Sequence, residues 1–182
     1  MLVLGDSLSA AYRIEAESGW VTLLAQRLKT TQPPHDVINA SISGETTAGG
    51  LERLPALLAQ HKPALVVVEL GANDGLRGLP LEQIRANLAR ILSASRDAGA
   101  KTVLLGIELP VNYGPQYRTG LREMYRDAAR EFNVPLVPFL LQGIADDPQL
   151  MQDDGLHPLA AAEPRVLDNV WPALQTALGT IH

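Results

Sequence analysis

The chain has 182 residues, of which 46% are hydrophobic, so it can bury a substantial core within the usual size of one domain. Its formal net charge is -5 and it has no basic patch to displace phosphate counterions, which excludes a typical nucleic-acid binder. The absence of cysteine excludes disulfides, thiolate metal sites and a cysteine nucleophile. The sequence contains no run of about 18 apolar residues, so we do not expect stable insertion into a membrane.

Short apolar runs rich in leucine or β-branched residues alternate with segments of helical period along the chain. The apolar runs lie at residues 2–4, 37–38, 64–70, 102–107 and 134–137. The helical segments lie at residues 20–28, 51–60, 81–98, 117–132 and 160–178. Runs that are apolar on both faces are typical of parallel strands covered by helices. The pattern predicts a flavodoxin-like three-layer α/β/α sandwich with a central parallel sheet of about five strands.

The chain begins directly with the first predicted strand. No basic segment followed by an apolar run and a small-residue cleavage site precedes it, so we expect no signal peptide within this chain. Proline marks connections such as Gln32-Pro33-Pro34 and Leu109-Pro110, and no repeat or composition shift marks a linker. The sequence therefore predicts a single domain over residues 1–182.

Ligands of such sheets bind beyond the carboxyl ends of the strands, so the residues after each strand are the candidates for chemistry. Gly5-Asp6-Ser7-Leu8-Ser9 follows the first strand, where Gly5 permits a sharp turn and Ser7 is expected near the N-terminus of a following helix. The free amides and the dipole of such a helix favour a developing negative charge. For this segment alone, a serine that merely caps the helix is the alternative.

Glycine-rich segments also follow the second and third strands. Residues 40–50 have the glycine spacing of a phosphate-binding loop, but Gly50-Leu51 stands where such a loop has Lys-Ser or Lys-Thr. The segment therefore lacks the lysine that would bind the phosphate. Gly44 is a candidate to present its backbone N–H toward a cleft, with a plain turn as the alternative. Asn73, in Gly71-Ala72-Asn73-Asp74-Gly75, is a candidate amide donor to an oxyanion, and Asn-Asp-Gly also commonly forms a turn.

Near the C-terminus, Asp154 and His157 are three residues apart in Asp153-Asp154-Gly155-Leu156-His157-Pro158. Across a tight turn, a carboxylate reaches an imidazole, fixes its tautomer and supports the imidazolium that forms during acyl transfer. A purely structural turn is the alternative for this segment alone. The other histidines have polar or terminal settings and are interpreted as surface residues: His35, His61 and His182.

Taken in order, these four segments resemble the signature blocks of the SGNH (GDSL) hydrolase family. The resemblance covers nearly the whole chain and is strongest to the bacterial thioesterase I/protease I/lysophospholipase and arylesterase branch. It implies that Ser7 is the nucleophile, His157 the general base and Asp154 the residue that orients it. It also implies an oxyanion hole formed by the Ser7 N–H, the Gly44 N–H and the Asn73 amide.

Two features depart from the family pattern. Relatives usually carry more residues before the first strand, which suggests a mature or trimmed chain, and many have glycine where Ala72 stands, a small change in loop freedom. Asp6 belongs to the motif but not to the triad. Members of this branch are often exported, so the resemblance implies a periplasmic or secreted protein, with the cytoplasm as the alternative.

The implied reaction is acyl transfer from a small-molecule carboxylic ester or thioester, of the acyl thioester, aryl ester or lysophospholipid type, to serine and then to water. No cofactor and no metal are implied, and a monomer is the simplest expectation. Leu76, Leu109 and Pro110, just beyond strand ends, are candidate substrate-binding residues of an apolar acyl groove, with ordinary packing of loop against core as the alternative. Residues 75–80 are expected to fold over a bound acyl chain, with ordinary contact of their leucines with the core as the alternative.

Three other functions stay open on the sequence. A carbohydrate acetylesterase on the same fold needs an exposed polar cleft rather than an apolar groove. A non-catalytic flavodoxin-like binding module is favoured if Ser7 and His157 lie far apart. A metal-dependent phosphatase would take its oxygen ligands from Asp6, Asn73, Asp74 and Asp154.

Overall fold

The computed structural model describes residues 1–31 and 34–179, which contain one parallel β-sheet. Its five strands are β1 (Leu2–Gly5), β2 (Ile38–Asn39), β3 (Leu65–Glu69), β4 (Lys101–Leu105) and β5 (Leu136–Val137). Their order is β2-β1-β3-β4-β5, and every neighbouring pair is parallel. The predicted flavodoxin-like sandwich is therefore confirmed. The strand order reverses between β1 and β3, which is where ligands bind in open α/β sheets.

Six α-helices occur in the described ranges. They are α1 (Trp20–Lys29), α2 (Thr47–His61), α3 (Ala72–Leu76), α4 (Leu81–Asp97), α5 (Pro115–Phe132) and α6 (Glu163–Leu178). Short 3-10 helices lie before α1, α5 and α6, at Ala16–Ser18, Val111–Tyr113 and Ala160–Ala162. None of the helices in these ranges has the length and apolar character needed to cross a membrane.

Each face of the sheet packs against its own layer of helices. In β1, Leu2 and Leu4 pack with residues of α2, α4 and α5, whereas Val3 between them packs with residues of α1 and α6. Residues of β3 and β4 alternate in the same way, and nearly all are fully buried. Because both faces of each strand are covered, the strands carry continuous apolar runs rather than alternating apolar and polar residues.

Apart from shifts of a few residues at element ends, the structure differs from the predicted elements in three places. First, α2 begins at Thr47 rather than at Leu51, because the Thr46 hydroxyl accepts a hydrogen bond from the Gly49 N–H and caps the helix. Second, the short helix α3 forms in a segment for which no helix was predicted and a turn was the alternative. Third, no helix begins at Ser7, where a helix N-terminus was expected. Part of the predicted proline-marked connection, residues 32–33, lies outside the described residues.

Helices α1 and α6 are joined through the buried carboxyl group of Glu163, the first residue of α6. Its Oε2 atom accepts a hydrogen bond of 2.8 Å from the N–H of Trp20, the first residue of α1. One helix therefore satisfies a free N–H at the start of the other. Burial raises the pKa of Glu163 to about 7, although the Trp20 N–H acts in the opposite direction.

This raised pKa gives a testable dependence of stability on pH. An acid that holds its proton more tightly in the folded chain stabilises the fold at low pH, and we expect that contribution to be lost as pH rises from about 4.5 to about 7. Glu163→Gln keeps an acceptor for the Trp20 N–H and does not titrate, so the loss of stability between these pH values, roughly 3 kcal/mol in the wild type, should be absent from this variant.

Urea unfolding of the wild type and of Glu163→Gln across this pH range measures the effect. Glu52→Gln, on the exposed side of α2, is the matched control and should leave the pH dependence unchanged. Parallel stability curves for the wild type and Glu163→Gln would contradict the prediction.

Candidate active site

The segments after the strands meet at the carboxyl edge of the sheet. One groove there is lined by Ser7, Asn73 and His157. The three residues predicted to bind substrate line the same groove: Leu76, Leu109 and Pro110. Residues distant in sequence come together here because parallel strands all end on the same edge. Gly44 is not among the lining residues of this groove.

His157 connects Ser7 to Asp154. Its Nε2 atom lies 2.8 Å from the Ser7 hydroxyl oxygen, and its Nδ1 atom lies 2.8 Å from Asp154 Oδ2. Because a carboxylate only accepts hydrogen bonds, Nδ1 carries the proton of the neutral ring and Nε2 accepts from the Ser7 hydroxyl. An activated serine nucleophile requires this arrangement.

A tight turn holds Asp154 against the imidazole. Its Oδ1 atom accepts hydrogen bonds from the N–H groups of Leu156 and His157, at 2.9 and 3.0 Å. Gly155 supports the turn with a φ of 65°, a conformation that favours glycine. Burial alone would raise the pKa of Asp154, but hydrogen bonds from the Leu156 N–H, the His157 ring and the His157 N–H outweigh burial and lower it. The carboxylate therefore stays ionised beside the ring.

The two serines of the first motif have different partners. Ser9 is buried, and its hydroxyl donates a hydrogen bond of 2.8 Å to Glu69 Oε2. Ser7 is partly exposed in the groove, with His157 beside its hydroxyl. Only Ser7 therefore combines an adjacent base with access to a substrate.

The helix expected after Ser7 is replaced by a series of turns. The Ala10 N–H donates to the Asp6 carbonyl at 3.0 Å, and the Tyr12 N–H donates to the Ser7 carbonyl at 3.3 Å. Ala11 and Arg13 both have a φ of 56°, which interrupts any regular right-handed helix. The prediction that a helix dipole acts at Ser7 is therefore wrong.

Both amide hydrogens of Asn73 have acceptors within the protein. Its Nδ2 atom lies 3.0 Å from Asp6 Oδ2 and 2.9 Å from the Glu45 carbonyl oxygen. Since both neighbours accept hydrogen bonds, the side chain presents its NH2 group to them. The amide is firmly oriented, and a further acceptor must share or replace one of these two bonds.

Gly44 lies in the loop that supplies the Glu45 carbonyl. Its φ of 81° favours glycine, and no heavy atom lies within 4 Å of the place that a Cβ would occupy. Backbone conformation, rather than close contact, therefore requires this glycine. The loop is held by Arg53, whose Nε lies 2.7 Å from Glu45 Oε2, and by Arg77, which donates to the Gly44 carbonyl at 3.3 Å.

The groove beside Ser7 encloses about 70 Å³ and adjoins a depression of about 230 Å³. Both are lined by the same central residues: Glu108, Leu109, Pro110, Phe139, Leu141 and Leu156. Except for Glu108, these shared residues are aliphatic or aromatic or are proline. The shared wall therefore matches an apolar chain better than a polar one, although Arg118 and Asp146 line the outer depression.

Sequence reasoning missed several residues of this site. Ile107 and Phe139 line the groove and follow β4 and β5, so the strand-end rule that selected Leu109 applies to them as well. It also missed Glu69, which is fully buried next to the motif. The sequence does contain a signal for Glu69, because it is the single acidic residue at the end of an otherwise apolar strand.

Other features of the molecule do not contribute to this groove. A larger depression, about 610 Å³, lies at the amino ends of β4 and β5 around Lys101 and Thr102, far along the strands from the motif residues. Within the described part of the chain, no group of three or more His, Asp or Glu is arranged to hold a metal ion.

The histidines other than His157 that the structure describes lie outside the groove. His35 and His61 are partly buried rather than fully exposed, and His182 lies outside the described residues.

The chain is similar to known proteins over nearly its whole length. Residues 3–163 match the GDSL-like Lipase/Acylhydrolase family. The chain is 52% identical over 178 residues to Esterase TesA of Pseudomonas aeruginosa, covering 98% of this chain and 89% of that protein. It is 47% identical over 175 residues to thioesterase 1/protease 1/lysophospholipase L1 of Escherichia coli K12, covering 96% and 82%.

A solved structure is also similar. The psychrotrophic esterase EstA from Pseudoalteromonas sp., inhibited by monoethylphosphonate, superposes with a TM-score of 0.93 at 42% identity, covering 98% of both chains. The chain is therefore an enzyme of the hydrolase class. Within that class it belongs to the GDSL-like lipase/acylhydrolase family, as the sequence resemblance predicted.

Proposed function

We propose that this protein is a serine ester hydrolase that cleaves carboxylic esters and thioesters through a Ser-His-Asp triad and an acyl-enzyme, with residues 1–182 acting as a single domain. The observation that carries the proposal is the continuous pair of 2.8 Å contacts from Ser7 through His157 to Asp154. The names of the relatives, esterase and thioesterase 1/protease 1/lysophospholipase L1, support an acyl substrate.

The mechanism begins with attack of the Ser7 oxygen on the carbonyl carbon while His157 Nε2 takes the hydroxyl proton. Asp154 keeps the ring in the required tautomer and stabilises the imidazolium. His157 then gives its proton to the departing alkoxide or thiolate, and the acyl group remains on Ser7. A water molecule attacks this acyl-enzyme with His157 again as base, which releases the acid and restores Ser7.

The oxyanion of the tetrahedral intermediate needs donors that are fixed before the reaction. We assign this role to the N–H groups of Ser7 and Gly44 and to the Asn73 amide. Asn73 already donates to Asp6 and to the Glu45 carbonyl, so it serves the oxyanion by sharing or exchanging the hydrogen bond to Glu45. The bond to Asp6 keeps the amide in place during that exchange.

The substrate site is the groove lined by Leu76, Leu109 and Pro110. Its apolar walls favour an acyl chain over the sugar of a carbohydrate acetylesterase, and the 2.8 Å contact between Ser7 and His157 argues against a non-catalytic binding module. The substrate class is a small-molecule acyl ester or thioester. On the family resemblance, we also propose a periplasmic or secreted location, which fractionation of the native cells tests.

Ser7→Ala tests the nucleophile. We expect a folded protein whose kcat falls by several orders of magnitude, because only binding and the oxyanion donors remain. Steady-state hydrolysis of an aryl ester measures the loss, and a thermal unfolding scan verifies the fold. Ser93→Ala, the same change on the surface of α4, is the matched control and should retain activity. Near-normal activity of a folded Ser7→Ala would disprove the assignment.

Asn73→Ala tests the oxyanion donor. Because the amide meets a charge that exists only in the transition state, kcat should fall by about 10²- to 10³-fold while KM changes little. Initial rates over a range of substrate concentrations separate the two constants, with the unfolding temperature as a check on the fold. A loss confined to KM would mean that Asn73 binds substrate and transition state equally.

The acyl groove is tested by chain-length dependence. Leu76 lines the groove, and the segment that follows it is held by hydrogen bonds from Tyr113 to the Leu76 carbonyl and from Tyr117 to the Leu79 carbonyl. We expect residues 75–80 to cover a bound acyl chain. Leu76→Ser should therefore reduce the stabilisation of the transition state by about 1 to 3 kcal/mol more for long-chain esters than for acetyl esters.

Values of kcat/KM for a series of acyl lengths measure this selectivity. Leu57→Ser is the matched control, because Leu57 is a partly buried leucine of α2 that does not line the groove. Equal losses on acetyl and long-chain esters in Leu76→Ser would show that residues 75–80 only support the fold.

A further inference from the structure

Two carboxyl groups are buried directly behind Ser7, and the triad uses neither of them. Asp6 immediately precedes Ser7, and Glu69 is the last residue of β3; both are completely buried. The parallel pairing of β1 with β3 aligns Gly5 with Glu69 and so brings the two acids together. Two ionised carboxylates in contact within an apolar core repel each other strongly, so such a pair retains a proton.

The hydrogen bonds show which of the two acids is the acceptor. Asp6 accepts through both oxygens: Oδ1 from the Leu8 N–H and Oδ2 from Asn73 Nδ2, each at 3.0 Å. Glu69 Oε2 accepts from the Asp6 N–H at 3.1 Å and from the Ser9 hydroxyl at 2.8 Å. Asp6 therefore has the contacts of a carboxylate.

The second oxygen of Glu69 has a different environment. Glu69 Oε1 is buried, and no N–H or O–H donor of the described residues reaches it. The carboxyl groups of Asp6 and Glu69 interact with each other, and a hydrogen bond between two carboxyl groups would require a proton on one of them. An unprotonated Oε1 would be a buried acceptor with no partner, whereas a protonated Oε1 donates to Asp6.

We propose that Glu69 is a positioning residue of the oxyanion hole, which keeps its proton, donates it to Asp6 and thereby holds Asp6 as the acceptor that orients the Asn73 amide. The inference rests on the proposed role of Asn73. Glu69 does not touch the substrate and acts only through Asp6 and Asn73.

The electrostatic environment agrees with a proton on Glu69. Burial raises the pKa of Asp6 to about 6, while burial and the adjacent charge of Asp6 raise the pKa of Glu69 well above its usual range. Asp6 therefore ionises at about pH 6, and the proton that the pair retains lies on Glu69. The other titratable groups that interact with the pair are His157 and the buried Tyr125 of α5, and Tyr125 interacts in turn with Asp74 of α3.

Variants of Glu69 test the proposal. Gln at this position donates through its amide to Asp6 and accepts from the Asp6 N–H and Ser9, so Glu69→Gln should keep kcat within about threefold of the wild type. Glu69→Ala leaves Asp6 without its donor, so kcat should fall by about tenfold or more with KM nearly unchanged. Glu163→Ala removes a buried carboxyl group of α6 and is the matched control, with lower stability and unchanged kcat.

Two further measurements separate positioning from simple support of the fold. If Glu69 acts through Asn73, adding Glu69→Ala to Asn73→Ala should cause no further loss of kcat. In the wild type, kcat should fall as the pH is raised far enough for the pair to lose its last proton, and this decrease should be absent from Glu69→Gln.

Infrared difference spectroscopy of the wild type and Glu69→Gln detects the proton on the Glu69 carboxyl group independently of catalysis. Above pH 7, we expect a protonated carboxyl band in the wild type that Glu69→Gln lacks. The proposal is wrong if this band is missing, if Glu69→Gln loses as much kcat as Glu69→Ala, or if the two alanine substitutions have additive effects. Failure of the proposed function would instead show as an active Ser7→Ala, and the infrared band would not change.

Discussion

The parallel register that aligns Gly5 with Glu69 is the constraint on which the rest of the site depends. A Cβ at Gly5 would lie within 2.9 Å of the Glu69 carboxylate and of the hydroxyls of Ser9 and Ser41, so only glycine lets the two strand ends approach this closely. The close approach places Asp6 against Glu69 and directs the chain so that Ser7 emerges in the groove. A larger residue at position 5 would separate the strand end from the buried polar network behind it.

The site consists of an exposed part and a buried part joined at the first motif. The exposed part is the chain of contacts between Ser7, His157 and Asp154, which lie on loops at the carboxyl edge. The buried part is the network of Asp6, Glu69 and Asn73. Because neighbouring residues of one tight turn belong to the two parts, the proposed nucleophile and the proposed oxyanion donor are positioned by the same backbone segment.

The buried part extends beyond Asn73. Its neighbour Asp74 is completely buried and accepts hydrogen bonds from the backbone N–H and the hydroxyl of Thr47, the first residue of α2. Asn87 of α4 donates to the same hydroxyl. These bonds fix α3 to α2, which follows directly on the loop of Gly44 and Glu45. The candidate oxyanion donors on separate loops are therefore held in one polar network.

The sequence predicts the fold and the location of the site well, because both follow from local patterns. Apolar runs without alternation predict parallel strands, and the strand-end rule selects Leu76, Leu109 and Pro110, all of which line the groove. The sequence does not predict the turns after Ser7, since the positive φ angles of Ala11 and Arg13 leave no composition signal.

Nor does the sequence alone reveal the role of Glu69. An acid after an apolar run normally marks the point where a strand reaches solvent. Its burial here depends on Asp6 and Ser9, which lie more than 50 positions earlier in the chain and meet it only through the strand pairing. Long-range pairing of polar groups is therefore the information that the local patterns lack.

The central claim is that Ser7 is the one activated nucleophile of this chain, and covalent labelling tests it most directly. After treatment with an organophosphate, intact-mass measurement and peptide mapping should find one adduct per chain, located on Ser7, together with complete loss of esterase activity. An adduct on Ser9, or full inhibition without any adduct, would contradict the account.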